Sequence, residues 1–150
     1  MEDIMFTNFL APISGDVISS KTLKEVSKLA KLMKAKITLV YVSDPMLPYM
    51  YMDGTPAYYG ISEQTHKKAC DDVAKRIFSK AQSQLGSDVI AKTYHIYNPN
   101  VFQGIIDAAK KSKADVIVMA SHKRKGLAGI FMGSDTNALI THTKLPVIVL

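Results

Sequence analysis

Cysteine occurs once in the 150 residues, at Cys70, so no disulfide framework holds the chain together. A lone thiol cannot assemble a zinc cluster either, and this usage fits a reducing compartment. His66, His95, His122 and His142 show no metal-like spacing, so no metal site is expected. Long apolar runs are missing: the stretch Val116–Ala120 falls far short of the ~20 residues that cross a bilayer. The first residues carry Glu2 and Asp3 without a basic start, which is not the pattern of a secretory leader. These absences lead us to expect a cytoplasmic protein with no membrane partner. Basic residues are not interleaved with aromatics, so neither DNA nor RNA is an expected partner.

What remains is an ordinary globular composition. Hydrophobic residues make up 47% and charged residues 21%, which excludes disorder and matches one folded domain over residues 1–150. The net charge of +6 serves solubility, with a mild pull toward phosphate-bearing partners.

The apolar pattern alternates between two periods. Ile4–Pro12 reads as a buried strand, and Leu23, Val26, Leu29, Ala30 and Met33 then recur at helical spacing behind the capping serines Ser19 and Ser20. Lys36–Val42 is a second strand. Residues 43–60 break the rhythm with Pro45, Pro48, Pro56, Gly54 and Gly60, and carry Met46, Met50, Met52 and four tyrosines. A stretch of this length without regular structure is either a functional flap or partner surface, or a variable surface loop.

Ser62 caps a long helix in which Ala69, Val73, Ile77 and Ala81 recur every fourth residue up to Gly86. Asp88–Tyr97 is a third strand. Asn98 and Pro99 then supply a cap and a first helical residue for a helix buried through Val101, Phe102, Ile105, Ile106 and Ala109. Asp115–Ala120 is a fourth strand without alternation, as expected when both sheet faces are covered. Ser134–His142 is a short helix and Pro146–Leu150 a last strand. Strands alternating with helices predict a doubly wound, five-stranded parallel sheet with helices on both faces. Ligands bind such sheets outside the carboxyl ends of the strands, which points to Pro12–Gly15, Val42–Pro45 and Ala120–Ser134.

Residues 119–150 hold the most informative chemistry. A strand ends at Ala120, a basic loop with Lys123, Arg124 and Lys125 follows, and Gly133-Ser134 opens a helix. Unpaired N–H groups and the positive end of the dipole favour an anion at such a start. The same residues also suit a plain helix cap beside a solvated loop. Asp135 fits the first-turn position that the dipole favours, and Asp44 and Asp135 lie near the cleft rim, where Mg²⁺ would be held only if a nucleotide binds. Hydrolysis needs an activated nucleophile or a positioned base, and no Walker pattern is present, so enzyme activity is not the expectation and a slow ATPase is the least favoured alternative.

The run Ser121-His-x-x-x-Gly126-Leu, five residues, Gly133-Ser134, followed by Thr143-x-x-Pro146-Val-x-Val149, resembles the universal stress protein family. FLAPISGD (Phe9 to Asp16) sits where members carry a Pro-x-Asp-Gly-Ser turn, and LAKLMKAKITLVYVSD (Leu29 to Asp44) matches their first helix and second strand. The resemblance implies a flavodoxin-like (adenine nucleotide alpha hydrolase-like) α/β domain, usually homodimeric, with a regulatory role in stress responses. It implies an ATP pocket whose base end involves Pro12, Ser14, Val42 and Met119. Its phosphate end involves Ala120, Lys123, Gly133, Ser134, Asp135 and Thr136. Two departures from the nucleotide-binding pattern stand out: Ala120 and Lys123 replace the two glycines of Gly-x-x-Gly, and Ser14 stands where members carry an aspartate. A member without a nucleotide would act instead through its surface, with the segment from Ser43 to Gly60 as the contact for a protein partner. The family also implies that the terminal edge strand Val147, Ile148, Val149 and Leu150 pairs with a second copy about a two-fold axis.

Overall fold

The computed structural model describes residues 5–14, 20–45, 49–52, 55–58, 62–119 and 134–150. In chain order the elements are β1 (Asn8–Pro12), α1 (Ser20–Leu32), β2 (Lys36–Ser43), β3 (Tyr49–Met52), β4 (Thr55–Tyr58), α2 (Glu63–Leu85), β5 (Lys92–Tyr97), α3 (Val101–Ser112), β6 (Val116–Met119), α4 (Ser134–His142) and β7 (Val147–Val149). Five of the strands form one parallel sheet in the order β5-β2-β1-β6-β7. This is the doubly wound parallel sheet that the alternating periods predict, and the flavodoxin-like α/β fold that the family resemblance implies. The winding reverses between β1 and β6, so the crevice expected of such sheets opens at their carboxyl ends.

Side-chain alternation along the strands sorts the core into two layers. Phe9, Ala11, Ile37, Leu39, Val116 and Val118 face α1 and α2, where Leu23, Val26, Ala30, Ala81 and Leu85 meet them. Leu10, Val40, Ile96 and Ile117 face α3 and α4, where Ile105, Ala108, Ala109 and Leu139 complete the second layer. Among the described residues, no helix is long and apolar enough to cross a membrane.

The first strand starts at Asn8 rather than Ile4, and Val101, read as part of the buried stripe of α3, is exposed. Four further local details differ from the sequence reading. Within residues 43–60, β3 and β4 form an antiparallel hairpin that pairs Tyr49 with Tyr58 and Met52 with Thr55. The third strand starts at Lys92 rather than Asp88, because Gln82 of α2 holds the preceding backbone. Its Nε2 donates to the Val89 carbonyl at 2.5 Å, and its Oε1 accepts from the Ala91 N–H at 3.0 Å. The cap of α3 is Asn100, not Asn98. The Asn98 carboxamide oxygen instead accepts from the Asn100 N–H at 2.8 Å, an Asx-turn that postpones the helix by two residues. Finally, Ala69 is exposed, and the inward stripe of α2 runs through Ala74, Ala81 and Leu85. The cap of α2 is as expected: the Ser62 hydroxyl accepts from the Thr65 N–H.

At the amino end of the sheet, Asp115 ties the entry of β1 to β6. Its carboxylate accepts from the Thr7 N–H at 2.7 Å, the Thr7 hydroxyl at 2.9 Å and the Asn8 N–H at 3.0 Å. Burial opposes ionisation of this carboxyl, but the donors on Thr7 and Asn8 outweigh it and hold the pKa below the usual carboxylate range. The unfolded chain therefore binds the proton first, so this stabilisation is present above pH ~4 and is lost as pH falls below it. Asp115→Ala should lower unfolding free energy by about 2 kcal/mol at pH 7, as expected for bonds to a charged acceptor. A urea midpoint measured at pH 7 and again at pH 3 checks this, because the difference between variant and parent should shrink in acid.

Candidate functional site

Three apolar side chains come together at the carboxyl ends of adjacent strands. Pro12 ends β1, Val42 lies one residue before the end of β2, and Met119 ends β6. All three are half-buried, and Val42 and Met119 pack against the core layer that faces α3 and α4. Because β1 pairs with β2 on one side and β6 on the other, these side chains floor the crevice at the winding reversal. Thr136, on the first turn of α4, is buried, and Leu139 one turn later belongs to the same core layer. Ser14 is exposed just beyond β1.

Of the other residues expected at this site, Ser134 and Asp135 open α4, but their side chains lie outside the described residues. Ala120, Lys123 and Gly133 lie outside the described residues altogether, as do the basic loop and, within the segment from Ser43 to Gly60, residues 46–48, 53–54 and 59–60. The edge position expected for the terminal strand is present, since among the described residues β7 pairs only with β6.

The position of Val42 is set by a glycine on α3. A Cβ placed on Gly104 would sit 2.8 Å and 2.9 Å from the two methyl carbons of Val42. The bare Cα is thus what lets the first turns of α3 close over the end of β2. Sequence reading missed this glycine, because a Gly within a helical stripe carries no sign of the partner that requires it.

A second polar constellation lies on the opposite sheet face, under the amino-terminal half of α2. The Ser43 hydroxyl is 2.8 Å from His95 Nε2, and His95 Nδ1 is 3.2 Å from Asp71 Oδ1. The Tyr97 hydroxyl donates to the same Asp71 oxygen at 2.6 Å, while Lys67 Nζ reaches Asp71 Oδ2 at 3.2 Å. The Tyr97 hydroxyl and the Lys67 ammonium beside Asp71 keep its carboxyl below the ordinary range against some burial. Desolvation lowers the pKa of His95, and the neighbouring Asp71 only partly offsets this. The Tyr97 phenol is pushed up by desolvation and by Asp71. Next to this group, the Cys70 thiol lies 3.6 Å from His66 Nε2, which also contacts the Asp44 carbonyl at 3.1 Å. Neither Asp71 nor His95 was expected to carry chemistry. Among the described residues, no group of three or more His, Cys, Asp or Glu side chains is arranged to hold a metal.

A groove of about 740 Å³ between α2 and β5, lined by Phe78, Gln82, Gly86, Ile90 and Thr93 among others, opens at the amino end of β5. Ligands of parallel sheets sit at the carboxyl ends, so the groove is not the candidate site.

A model of the universal stress protein family matches residues 5–150. A universal stress protein of Methanocaldococcus jannaschii is 26% identical over 145 residues, covering 97% of this chain and 82% of that protein. Among solved structures, the universal stress protein UspA from Lactobacillus plantarum is similar with a TM-score of 0.71 and 26% identity, over 96% of this chain and 97% of that one. The universal stress protein from Archaeoglobus fulgidus in complex with dAMP has a TM-score of 0.60 and 17% identity, over 97% and 98% of the two chains. At that identity it speaks for the fold alone.

Val42 is β-branched and stiff at χ1, so it cannot swing away from a new methyl on α3. Gly104→Ala should destabilise the protein by about 1–3 kcal/mol through overpacking. Combining it with Val42→Ala should recover part of that loss, and a double-mutant cycle by urea denaturation measures the coupling. Additive effects would show that the two residues do not press on one another.

Proposed function

The chain belongs to the universal stress protein family, and from that premise we propose that it is a homodimeric stress-response regulator that binds an adenine nucleotide in the crevice between β1 and β6. The observation that carries this reading is the half-buried apolar floor of Pro12, Val42 and Met119. A purine is flat and apolar on its faces, and such a floor removes it from water while leaving its polar edge toward Ser14 and solvent. The residues present therefore fit the base. The phosphate end falls to the start of α4, where Ser134, Asp135 and Thr136 follow Gly133, and to Ala120 and Lys123 before it. First-turn N–H groups favour anions, and Lys123 supplies a charge where the family pattern has a glycine. The Archaeoglobus fulgidus relative is described with dAMP, which is the chemistry proposed for this crevice. A bound ATP would contribute its phosphates as the changeable part of a switch, and Mg²⁺ would accompany them.

A second reading is favoured by one observation. The β3-β4 hairpin forms a two-stranded sheet of its own, and isolated hairpins are marginal in water. Its Tyr- and Met-rich strands suit a contact with a protein partner, so the segment from Ser43 to Gly60 is the docking surface if the crevice holds no nucleotide.

Titration with a fluorescent ATP analogue separates the two readings. Saturable binding that unlabelled ATP reverses supports the first. No saturation into the high micromolar range removes the nucleotide and leaves the surface reading.

The dimer is proposed to form through β7 and Leu150. The Pro146 carbonyl accepts from Ile117, and the Leu150 N–H donates to Met119. Alternation along a parallel strand then turns the Val149 N–H away from β6 and toward the free edge. Val149→Pro should remove that outward donor without disturbing the pairing to β6. Light scattering should show a monomer for this variant, and a dimer of unchanged mass would overturn the assignment.

A further inference from the structure

We propose that Ser43 is an activated nucleophile, with His95 as its general base and Asp71 as a positioning residue, in a site on the α2 face of the sheet that cleaves short, uncharged carboxylic esters. The inference does not rest on the nucleotide reading. Ser43 follows Val42 on β2, so its side chain emerges on the opposite face from the crevice.

The proton arrangement follows from the donors and acceptors available. An ionised carboxylate only accepts, so the His95 nitrogen 3.2 Å from Asp71 carries the proton. That leaves Nε2 with a lone pair, and the Ser43 hydroxyl 2.8 Å away must donate to it. This chain of nucleophile, base and orienting group is the arrangement that activates a serine, whatever fold supplies it. Two further groups and burial hold it in that state. Tyr97 and Lys67 keep Asp71 ionised, and burial keeps the imidazole neutral and thus able to accept a proton at pH 7.

A purely structural filler at this interface would be apolar, as it is further along α2 at Ala74, Ala81 and Leu85. Here the helix instead presents Asp71 to the sheet, with the exposed Lys67 beside it. The network also reaches solvent: the His95 and Asp71 side chains are 16% and 35% exposed, although Ser43 itself is only 6% exposed. The Tyr41 and Tyr97 rings stand 5.7 Å and 4.5 Å from the imidazole and limit the acyl group to a short one. Lys67 is already engaged with Asp71 and lies 5.8 Å from the centre of the Tyr97 ring, so this cation does not call for a charged substrate.

In the reaction, Ser43 Oγ attacks the ester carbonyl carbon as its proton passes to His95 Nε2. The carbon–oxygen bond to the alcohol breaks, and His95 returns the proton to the departing oxygen. Water then attacks the acyl-serine and gives its proton to His95, which releases the carboxylic acid and restores the Ser43 hydroxyl. Nδ1–H stays on the imidazole throughout, directed at Asp71.

The test uses the full chain and a small alkyl fluorophosphonate, followed by peptide mapping. One adduct is expected, on Ser43, forming about 100-fold faster than in His95→Gln, which matches the usual worth of a general base. Asp71→Asn should slow labelling as well. The groups facing the imidazole are Asp71 and Lys67 from α2, Ser43 and Tyr41 from β2, and Tyr97 from its own strand. Labelling should therefore fall off in acid as His95 takes a proton, with an inflection below the ordinary histidine range that His95→Gln lacks. With p-nitrophenyl acetate, an acetyl group should appear on Ser43 and then be lost to water. Should His95→Gln fold poorly, Ser43→Cys keeps the size of the nucleophile, and its new thiol should react with iodoacetamide faster than Cys70. Absence of an adduct on Ser43, a rate that His95→Gln leaves unchanged, or a new thiol no more reactive than Cys70 would each overturn the proposal.

Discussion

The burial of β1 on all four sides is the constraint on which the rest of the structure depends. Phe9, Leu10 and Ala11 are each 2% exposed or less, and the strand is paired with β2 on one edge and β6 on the other. Burying side chains such as Phe9 and Leu10 contributes roughly 1.5–3 kcal/mol each, but only if every backbone group on the strand also finds a partner. Parallel neighbours on both edges meet that demand. They also force the chain to wind in opposite directions on either side, so the crevice beside Pro12 is a by-product of how the innermost strand is stabilised. The Asp115 clasp closes the amino end of the same strand, where Thr7 precedes the ladder and Asn8 begins it.

Much of this was legible in the sequence because both faces of the inner strands are apolar. The runs at Phe9–Ala11, Ile37–Val40 and Val116–Met119 admit no reading but buried strands, and the stripes of α1 and α3 have an unambiguous helical period. The crevice was legible for the same reason, since the strand ends point to Pro12 and Val42, while the apolar floor that adds Met119 came from the family resemblance. The Asn98 turn was not legible. Asn and Pro side by side satisfy the rules for a helix start, and only the observed bond from the Asn100 N–H to the Asn98 side chain shows that the turn takes that role.

The Ser43, His95 and Asp71 constellation was invisible for a different reason. Its members are far apart in sequence and sit on three elements, and they meet only through the register that sets Tyr41 beside His95 and Ser43 beside Tyr97. Reading α2 as a uniform stripe through Ala69, Val73, Ile77 and Ala81 rotates the helix enough to turn Asp71 outward. The actual rotation is set by the larger apolar surface of its carboxyl-terminal half, where Ala74, Ala81 and Leu85 are buried. That half fixes the helix, and the polar half is carried into place beneath it.

The end of β2 therefore serves two unlike environments with consecutive residues. Val42 is held from one side by the close approach of Gly104, and Ser43 from the other by His95. The Ser43 carbonyl also accepts from the Asn98 N–H at 2.9 Å, which extends the β2 and β5 pairing to the turn that leads into α3. That turn and Gly104 belong to the same few residues, so the backbone has little freedom to shift on one face alone. A packed interior resists small displacement rather than absorbing it. The contact of α3 with Val42 and the place of the Ser43 hydroxyl beside the imidazole are thus carried by consecutive residues of one strand end.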